Sequence, residues 1–197
     1  MRIVFIGPPG AGKGTQAKHI VKKYKPAHLS TGDMLRAARD AKTDIGLAAE
    51  KYMTSGQLVP DEVVVGVIAE RLKQDDCKGG YLLDGFPRTI AQAEALDKML
   101  AEAGTPLDVV LELKVPDNEL FTRLVERGRI EGRSDDTPET IKARIAVYND
   151  QTSPLLNYYG KKGLLKTIEG LGSIDEIFAR IEKVLDAPKS SCGCGCR

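Results

Sequence analysis

RIVFI, Arg2 to Ile6, is an unbroken apolar run after a single charge, cut off by Gly7. Such a run bounded by glycine predicts a strand buried on both faces. From Lys13 to Tyr24 the apolar positions change to helical spacing, so the chain starts as strand, glycine loop, helix. AHLS, Ala27 to Ser30, predicts a second strand, followed by helical segments from about Thr31 to Tyr52. SGQLVPD interrupts the pattern, and Asp61 is expected to cap a helix reaching about Lys73. A third strand, Tyr81 to Leu83, ends at Asp84, and Thr89-Ile90-Ala91-Gln92 opens the next helix with a capping-box pattern. Leu107 to Val115 predicts a fourth strand, with a helix starting at Pro116-Asp117. After the turn-rich GRIEGRSDD, Thr137-Pro138 starts a helix to about Tyr159. Leu164 to Ile168 predicts the last strand, and Ser173 with Glu176 caps the final helix.

Strands alternating with helices imply an α/β fold, a parallel sheet wrapped on both faces with ligands at the carboxyl ends of its strands. Residues 31–60 and 128–136 do not fit the alternation and read as insertions over that edge. The core is then discontinuous, 1–30, 61–127 and 137–187, with 188–197 a Cys/Gly tail.

Charge narrows the partners. With 29 basic and 28 acidic residues the net charge is +1, which gives no bulk field for nucleic acid or an anionic membrane. No apolar run approaches a membrane span, and MRIVFIGPPG lacks the features of a signal peptide, so the cytoplasm is expected. Cys77 stands alone, as suits a packed thiol in a reducing compartment. The terminal CGCGC has C-x-C-x-C spacing, unlike the C-x2-C pairs of structural zinc sites, and reads as a tail after the last helix.

GPPGAGKGTQ, Gly7 to Gln16, carries the first chemistry. Glycines let backbone N–H groups close around phosphate oxygens, the following helix aims its positive end there, and Lys13 adds a charge for the outer phosphates. Asp84 at a strand end can order water around a magnesium ion that bridges phosphates, or act as a turn aspartate before Gly85. Asp33 has the same two readings, as a water-mediated magnesium contact or as first-turn acid of a helix. Arg123 and Arg127 leave one helix face about 6 Å apart along its axis. Arg133 and Arg144 follow, each able to pair with Asp135 or Asp136, while Arg36 and Arg88 come after other strands. Planar forks converging on one edge suit phosphoryl transfer, which works by positioning and charge stabilisation.

Five blocks in order, GPPGAGKGTQ, LSTGDMLR, GQLVPDE, LLDGFPRT and RSDDTPETIKAR, resemble the adenylate kinase family over nearly the whole chain up to the tail. A phosphate loop usually has Ser or Thr directly after its lysine. This family has glycine there, as Gly14 is here. The resemblance implies a P-loop type five-stranded parallel sheet with an AMP-binding insertion at 31–60 and a short lid at 128–136. It implies the reaction ATP + AMP ⇌ 2 ADP with Mg2+, held largely through water, and no structural zinc. On the matched motifs Gly10, Ala11, Gly12, Lys13, Gly14 and Thr15 would hold the donor phosphates, with Arg123, Arg127 and Gly172 on the donor nucleotide. Thr31, Arg36, Gln57, Leu58, Val59, Gly85, Phe86, Pro87, Arg88 and Gln92 would line the AMP pocket. Arg133 and Arg144 would bridge both sets of phosphates, and Lys13 and the six arginines together form the implied catalytic set. The family expectation is a monomer whose partners are ATP, AMP and ADP.

The phosphate of AMP has a second pKa near 6 and is already an anionic nucleophile at neutral pH, so no catalytic histidine is required. Packing or surface roles are expected for His19 and His28. Similar UMP/CMP kinases usually carry alanine at the position of Thr31 and asparagine near Gln92, so this chain leans towards adenine. Gln92 has a second reading, as the third residue of its capping box. A GTPase switch would need an N-K-x-D motif, which is absent, and a nucleic-acid motor a basic track.

Overall fold

The structure, a computed structural model, describes residues 1–132 and 136–187. Strands β1 (Arg2–Ile6), β2 (Ala27–Ser30), β3 (Tyr81–Asp84), β4 (Val109–Lys114) and β5 (Leu165–Glu169) form one parallel sheet in the order β2-β3-β1-β4-β5. The connections hold α1 (Lys13–Tyr24), α2 (Thr31–Asp40), α3 (Asp44–Thr54), α4 (Asp61–Leu72), α5 (Ile90–Glu102), α6 (Asp117–Glu131), α7 (Pro138–Val147) and α8 (Pro154–Lys161). The last helix, α9 (Ile174–Leu185), follows β5. This is the α/β arrangement that the alternating pattern implies.

Alternation along β1 divides the core into two layers. Ile3 and Phe5 join Leu82, Leu111 and Leu113 beneath Ala17 and Ile20 of α1 and Ile177 and Ile181 of α9. Val4 and Ile6 enter the opposite layer with Leu83, Val110, Leu96 of α5 and Tyr159 of α8. Residues 3 to 6 are at most 2% exposed, and burying each contributes about 1.5–3 kcal/mol. A central strand covered on both faces therefore needs no polar positions, which is why RIVFI is a continuous apolar run.

Register then positions the chemistry. Phe5 of β1 and Ser30 of β2 both pair with Asp84 of β3, so three strands end level at one edge. Chain direction changes at that edge, because β1 leads outward to β2 while β3 leads back across β1 to β4. Such a switch point leaves a crevice at the carboxyl ends.

Several local expectations differ from the structure. Pro60, not Asp61, is the N-cap of α4, and it has no side-chain cap; Asp61 is the first helical residue and faces Thr89 and Gln92. The Thr89 hydroxyl accepts from the N–H of Gln92 as in a capping box, but the Gln92 amide accepts from the N–H of Arg88, one residue before the position the box requires. GRIEG is not all turn: α6 runs through Gly128 to Glu131 and stops at Gly132, whose φ of 62° is left-handed. A glycine costs about 1 kcal/mol inside a helix, but here it admits the returning chain, since a β-carbon at Gly128 would lie 3.0 Å from Cβ of Asp136. The expected single helix from Thr137 to Tyr159 is α7 and α8 joined by a π-helical stretch, Tyr148–Thr152. The Ser173–Glu176 capping box is formed in full.

Within the first insertion, α2 packs on α3 at very short range. A β-carbon at Gly46 would come within 2.2 Å of the carbonyl of Ala38. Alanine is favoured over glycine in a helix by about 1 kcal/mol, but backbone offers no rotamer by which to retreat. Gly46→Ala should therefore lower stability by about 1–2 kcal/mol net, seen as a reduced thermal unfolding midpoint. An unchanged or raised midpoint would show that the two helices separate freely.

Candidate active site

The loop after β1 enters α1 through Gly12, which has φ 95° and leaves the helix without a side-chain cap, so no side chain competes for its first-turn N–H groups. Gly10, at φ 83°, approaches α6 so closely that a β-carbon would meet Leu124 at 2.8 Å. Ala11 is buried in the core beside α1, so only its backbone can serve a ligand. Gly10, Gly12, Lys13, Gly14 and Thr15 all line one open cleft of ≈ 790 Å³.

Lys13 turns back over this loop. Its Nζ donates to the carbonyls of Gly7 at 2.6 Å and Pro8 at 2.9 Å. Burial of the amine pushes its pKa down to about 8, against the attraction of Asp84 and with repulsion from Arg88, Arg144 and Arg127. Asp84 and Arg88 share one segment, and Arg127 and Arg144 come from two others, so three stretches of chain meet around the amine.

Beside the cleft a smaller pocket of ≈ 70 Å³ lies between α2, the Gly56–Val59 segment and the start of α5. Thr31, Arg36, Gln57, Leu58, Val59, Gly85, Arg88, Gln92 and Arg144 line it, and Arg36, Gly85, Arg88 and Arg144 line the large cleft too. The two spaces therefore share three arginines, with Gly32, Gly56 and Leu58 also common to both. Pro87 faces the large cleft, whereas Phe86 is buried in the core and supports the turn from below.

Arg36, Arg88, Arg123, Arg127 and Arg144 each have a protein acceptor. Arg36 donates to Asp33, and Arg88 Nε to the carbonyl of Gly85 at 2.8 Å. Arg123 reaches the Gly170 carbonyl at 3.5 Å, the long limit of a hydrogen bond. Arg127 forms a two-pronged pair with Asp136 at 2.7 and 2.8 Å, and Arg144 donates to the same carboxylate. The Asp136 side chain is 0% exposed, so one buried carboxylate holds two guanidinium groups at the cleft wall. Arg133 and Asp135 lie outside the described residues.

Asp84 lines the cleft with its Oδ2 4.0 Å from where a β-carbon on Gly14 would be. A β-carbon at residue 14 would make an ordinary van der Waals contact with this carboxylate. Among the described residues no group of three or more His, Cys, Asp or Glu is placed to hold a metal. Asp84 alone fits a hydrated hard cation that takes its remaining oxygens from water and phosphates, and does not fit a protein cage. Asp33 also lines the cleft, but its carboxylate is engaged by Arg36.

Other residues escape sequence reasoning. His28, expected to be a packing or surface residue, lines the cleft 3.7 Å from Asp84 Oδ2. His19 does pack, against Phe178 with ring centroids 5.2 Å apart. Thr152, in the π-helical stretch, donates to the Arg88 carbonyl at 2.9 Å from 64 residues away. Asp61 holds the Gln92 amide. The pairing of Arg144 with Asp136 that the sequence allowed is present, and Arg127 joins it; Thr152 and Asp61 give no local signal. Gly172 is not brought to the others: it has φ 119°, sits against Glu176 and Arg180, and lines neither space.

Comparison with known proteins agrees with this arrangement. The family model for adenylate kinase matches residues 5–164. An adenylate kinase of Thermodesulfovibrio yellowstonii is 51% identical over 213 aligned positions, covering 94% of this chain and 99% of that protein. One from Thermobifida fusca is 52% identical over 180 positions, covering 91% and 95%, and one from Leptospira biflexa 53% identical over 182, covering 92% and 98%. A glycine loop facing a ring of arginines at the sheet's carboxyl edge is thus matched by similarity along almost the full length, and the chain belongs to the adenylate kinase family.

Proposed function

We propose that this protein transfers the terminal phosphoryl group of ATP to AMP, reversibly, giving two ADP. One observation carries the reading: a large cleft over a phosphate loop and a smaller pocket share Arg36, Arg88 and Arg144, so two anionic ligands would meet end to end among cations. In such a transfer little covalent chemistry falls to the protein, and positioning with charge stabilisation suffices.

Donor phosphates would lie against the Gly10–Thr15 backbone, with Lys13 leaving the Gly7 and Pro8 carbonyls to follow the transferred group. Arg123 and Arg127 would contact the donor, and Gly172, which lines neither space, is given no contact in this reading. AMP would enter the smaller pocket, its phosphate towards Arg36 and Arg88 and its base towards Thr31 and Gln92. Arg144, with Arg133, would span both phosphate sets. Mg2+ bound to the donor would neutralise phosphate charge, and Asp84, with Asp33 at longer range, would orient its water shell.

The AMP phosphate is itself the nucleophile, so this reading asks no proton abstraction of His28 or Asp84, although both line the cleft. Residues 31–60 would form the AMP-binding insertion and 128–136 a short lid that excludes water from the transfer. The alignment with the Thermodesulfovibrio relative spans 213 positions, more than the 197 residues here, in keeping with a form shorter than that relative. We assign the protein to the cytoplasm as a monomer; no helix among the described residues is long and apolar enough to cross a membrane.

The direct test is ADP formation from MgATP with AMP, CMP, UMP or GMP at equal concentration. AMP is expected to be preferred, and faster transfer to CMP or UMP would overturn the assignment. Arg88→Ala is expected to reduce turnover by more than about tenfold, some 1.4 kcal/mol, with little change in unfolding midpoint. A smaller loss would remove Arg88 from the phosphate contacts.

Lys13 supplies a pH signature. In the free protein its pKa is about 8, and phosphate charge would raise it. Binding then takes up protons above that pH, and ATP affinity falls as pH rises from about 8 through the higher pKa of the complex. Phosphate itself, with its second pKa near 6, is fully ionised there. Calorimetry of ATP binding at pH near 8.5 in buffers of different ionisation enthalpy should show proton uptake that Lys13→Met abolishes. Equal heats in all buffers would show that Lys13 keeps its charge without nucleotide.

A further inference from the structure

Asp61 is the one side chain of two groups that fix which way round the Gln92 amide stands, the other being the Arg88 N–H. Gln92 is 1% exposed and lines the smaller pocket. Its Nε2 donates to Asp61 Oδ1 at 2.7 Å, and its Oε1 accepts from the N–H of Arg88 at 2.7 Å. A carboxylate can only accept and a backbone N–H can only donate, so both partners demand the same orientation. Turning the amide over would set oxygen against carboxylate and NH2 against N–H, unsatisfying two buried bonds at once. Asp61 is itself held by the Thr89 hydroxyl, 3.0 Å from Oδ2, and that hydroxyl also accepts from the Gln92 N–H.

Those bonds leave the amide one N–H on Nε2 and one acceptor site on Oε1 without protein partners among the described residues. An acceptor beside a donor complements the edge of adenine, whose N6 donates and N1 accepts. A 6-oxopurine presents the reverse, an accepting O6 and a donating N1–H, and matches only the overturned amide. We propose that Asp61 is a specificity-determining positioning residue, which keeps the amide in the sense that takes 6-aminopurine monophosphates and refuses 6-oxopurine ones. The inference rests on the proposed reading of the base by Gln92.

Asp61→Asn tests it, because an asparagine can donate as well as accept and so leaves the Arg88 N–H alone to hold the amide orientation. The readout is the ratio of kcat/KM for AMP to that for IMP, which differs from AMP at the reading edge only. Asp61→Asn is expected to lower this ratio by about tenfold, partly through gain of IMP activity. Asp61→Glu, which can still only accept, is expected to keep the ratio higher than Asp61→Asn does. If Asp61→Asn reduces both substrates equally, Asp61 merely supports the fold and the proposal is wrong. Gln92→Ala separates the two layers: an unchanged ratio there sinks base reading by Gln92, whereas a collapsed ratio there with an unchanged one in Asp61→Asn sinks only the role of Asp61. Should Asp61→Asn lack a cooperative unfolding transition, Asp61→Ser makes the same comparison, with the same fall expected and an unchanged ratio again counting against the proposal.

Discussion

Mutual repulsion among the cations of one cleft is the constraint around which this molecule is arranged. Two guanidinium groups about 5 Å apart repel by about 3 kcal/mol at an effective dielectric constant of 20. Asp136 offsets that cost for Arg127 and Arg144 by accepting from both while wholly buried. The Gly85 and Gly170 carbonyls do so for Arg88 and Arg123, Asp33 for Arg36, and the Gly7 and Pro8 carbonyls for Lys13. Burial of the Lys13 amine, with repulsion from the neighbouring arginines, still leaves its pKa lowered. The cleft is thus assembled before any phosphate arrives, with weak acceptors that stronger ones can replace.

Everything beneath serves to hold those groups still. Level strand ends bring Asp84 to the phosphate loop, and glycines allow that loop to touch α6. The π-helical stretch between α7 and α8 carries Thr152 to the Arg88 carbonyl, while Gln92 takes the Arg88 N–H. Both backbone groups of one proposed phosphate ligand are therefore tied, one to the helix that follows and one to a distant element, a rigidity that hydrogen bonds to mobile solvent would not give. Departures from regular helix are common where a side chain must be aimed, and this one is explained by its target.

Elements were legible wherever apolar spacing had one solution. The strands, most of the helices, the phosphate loop and the Ser173–Glu176 capping box follow from local pattern, because burial on two faces or one leaves a distinct period. The course of GRIEG was not legible, since two glycines signal turns locally. Gly128 stays helical because its missing side chain accommodates Asp136, a contact made only after the chain returns.

The candidate site divides along the same line. Local sequence by itself determined the groups with inherent chemistry, the glycine loop, Lys13 and the arginines, because their residue types and spacing already express phosphate recognition. Tertiary structure decided their acceptors and orientation. That Asp61, in the first turn of α4, reaches the Gln92 amide and that His28 stands by Asp84 depend on elements far apart in the chain, and Asp136 serves two arginines only because the chain folds back on α6. Hydrogen bonds are directional and short, so their partners exist only once packing has set the distances, and no periodicity along a chain encodes that.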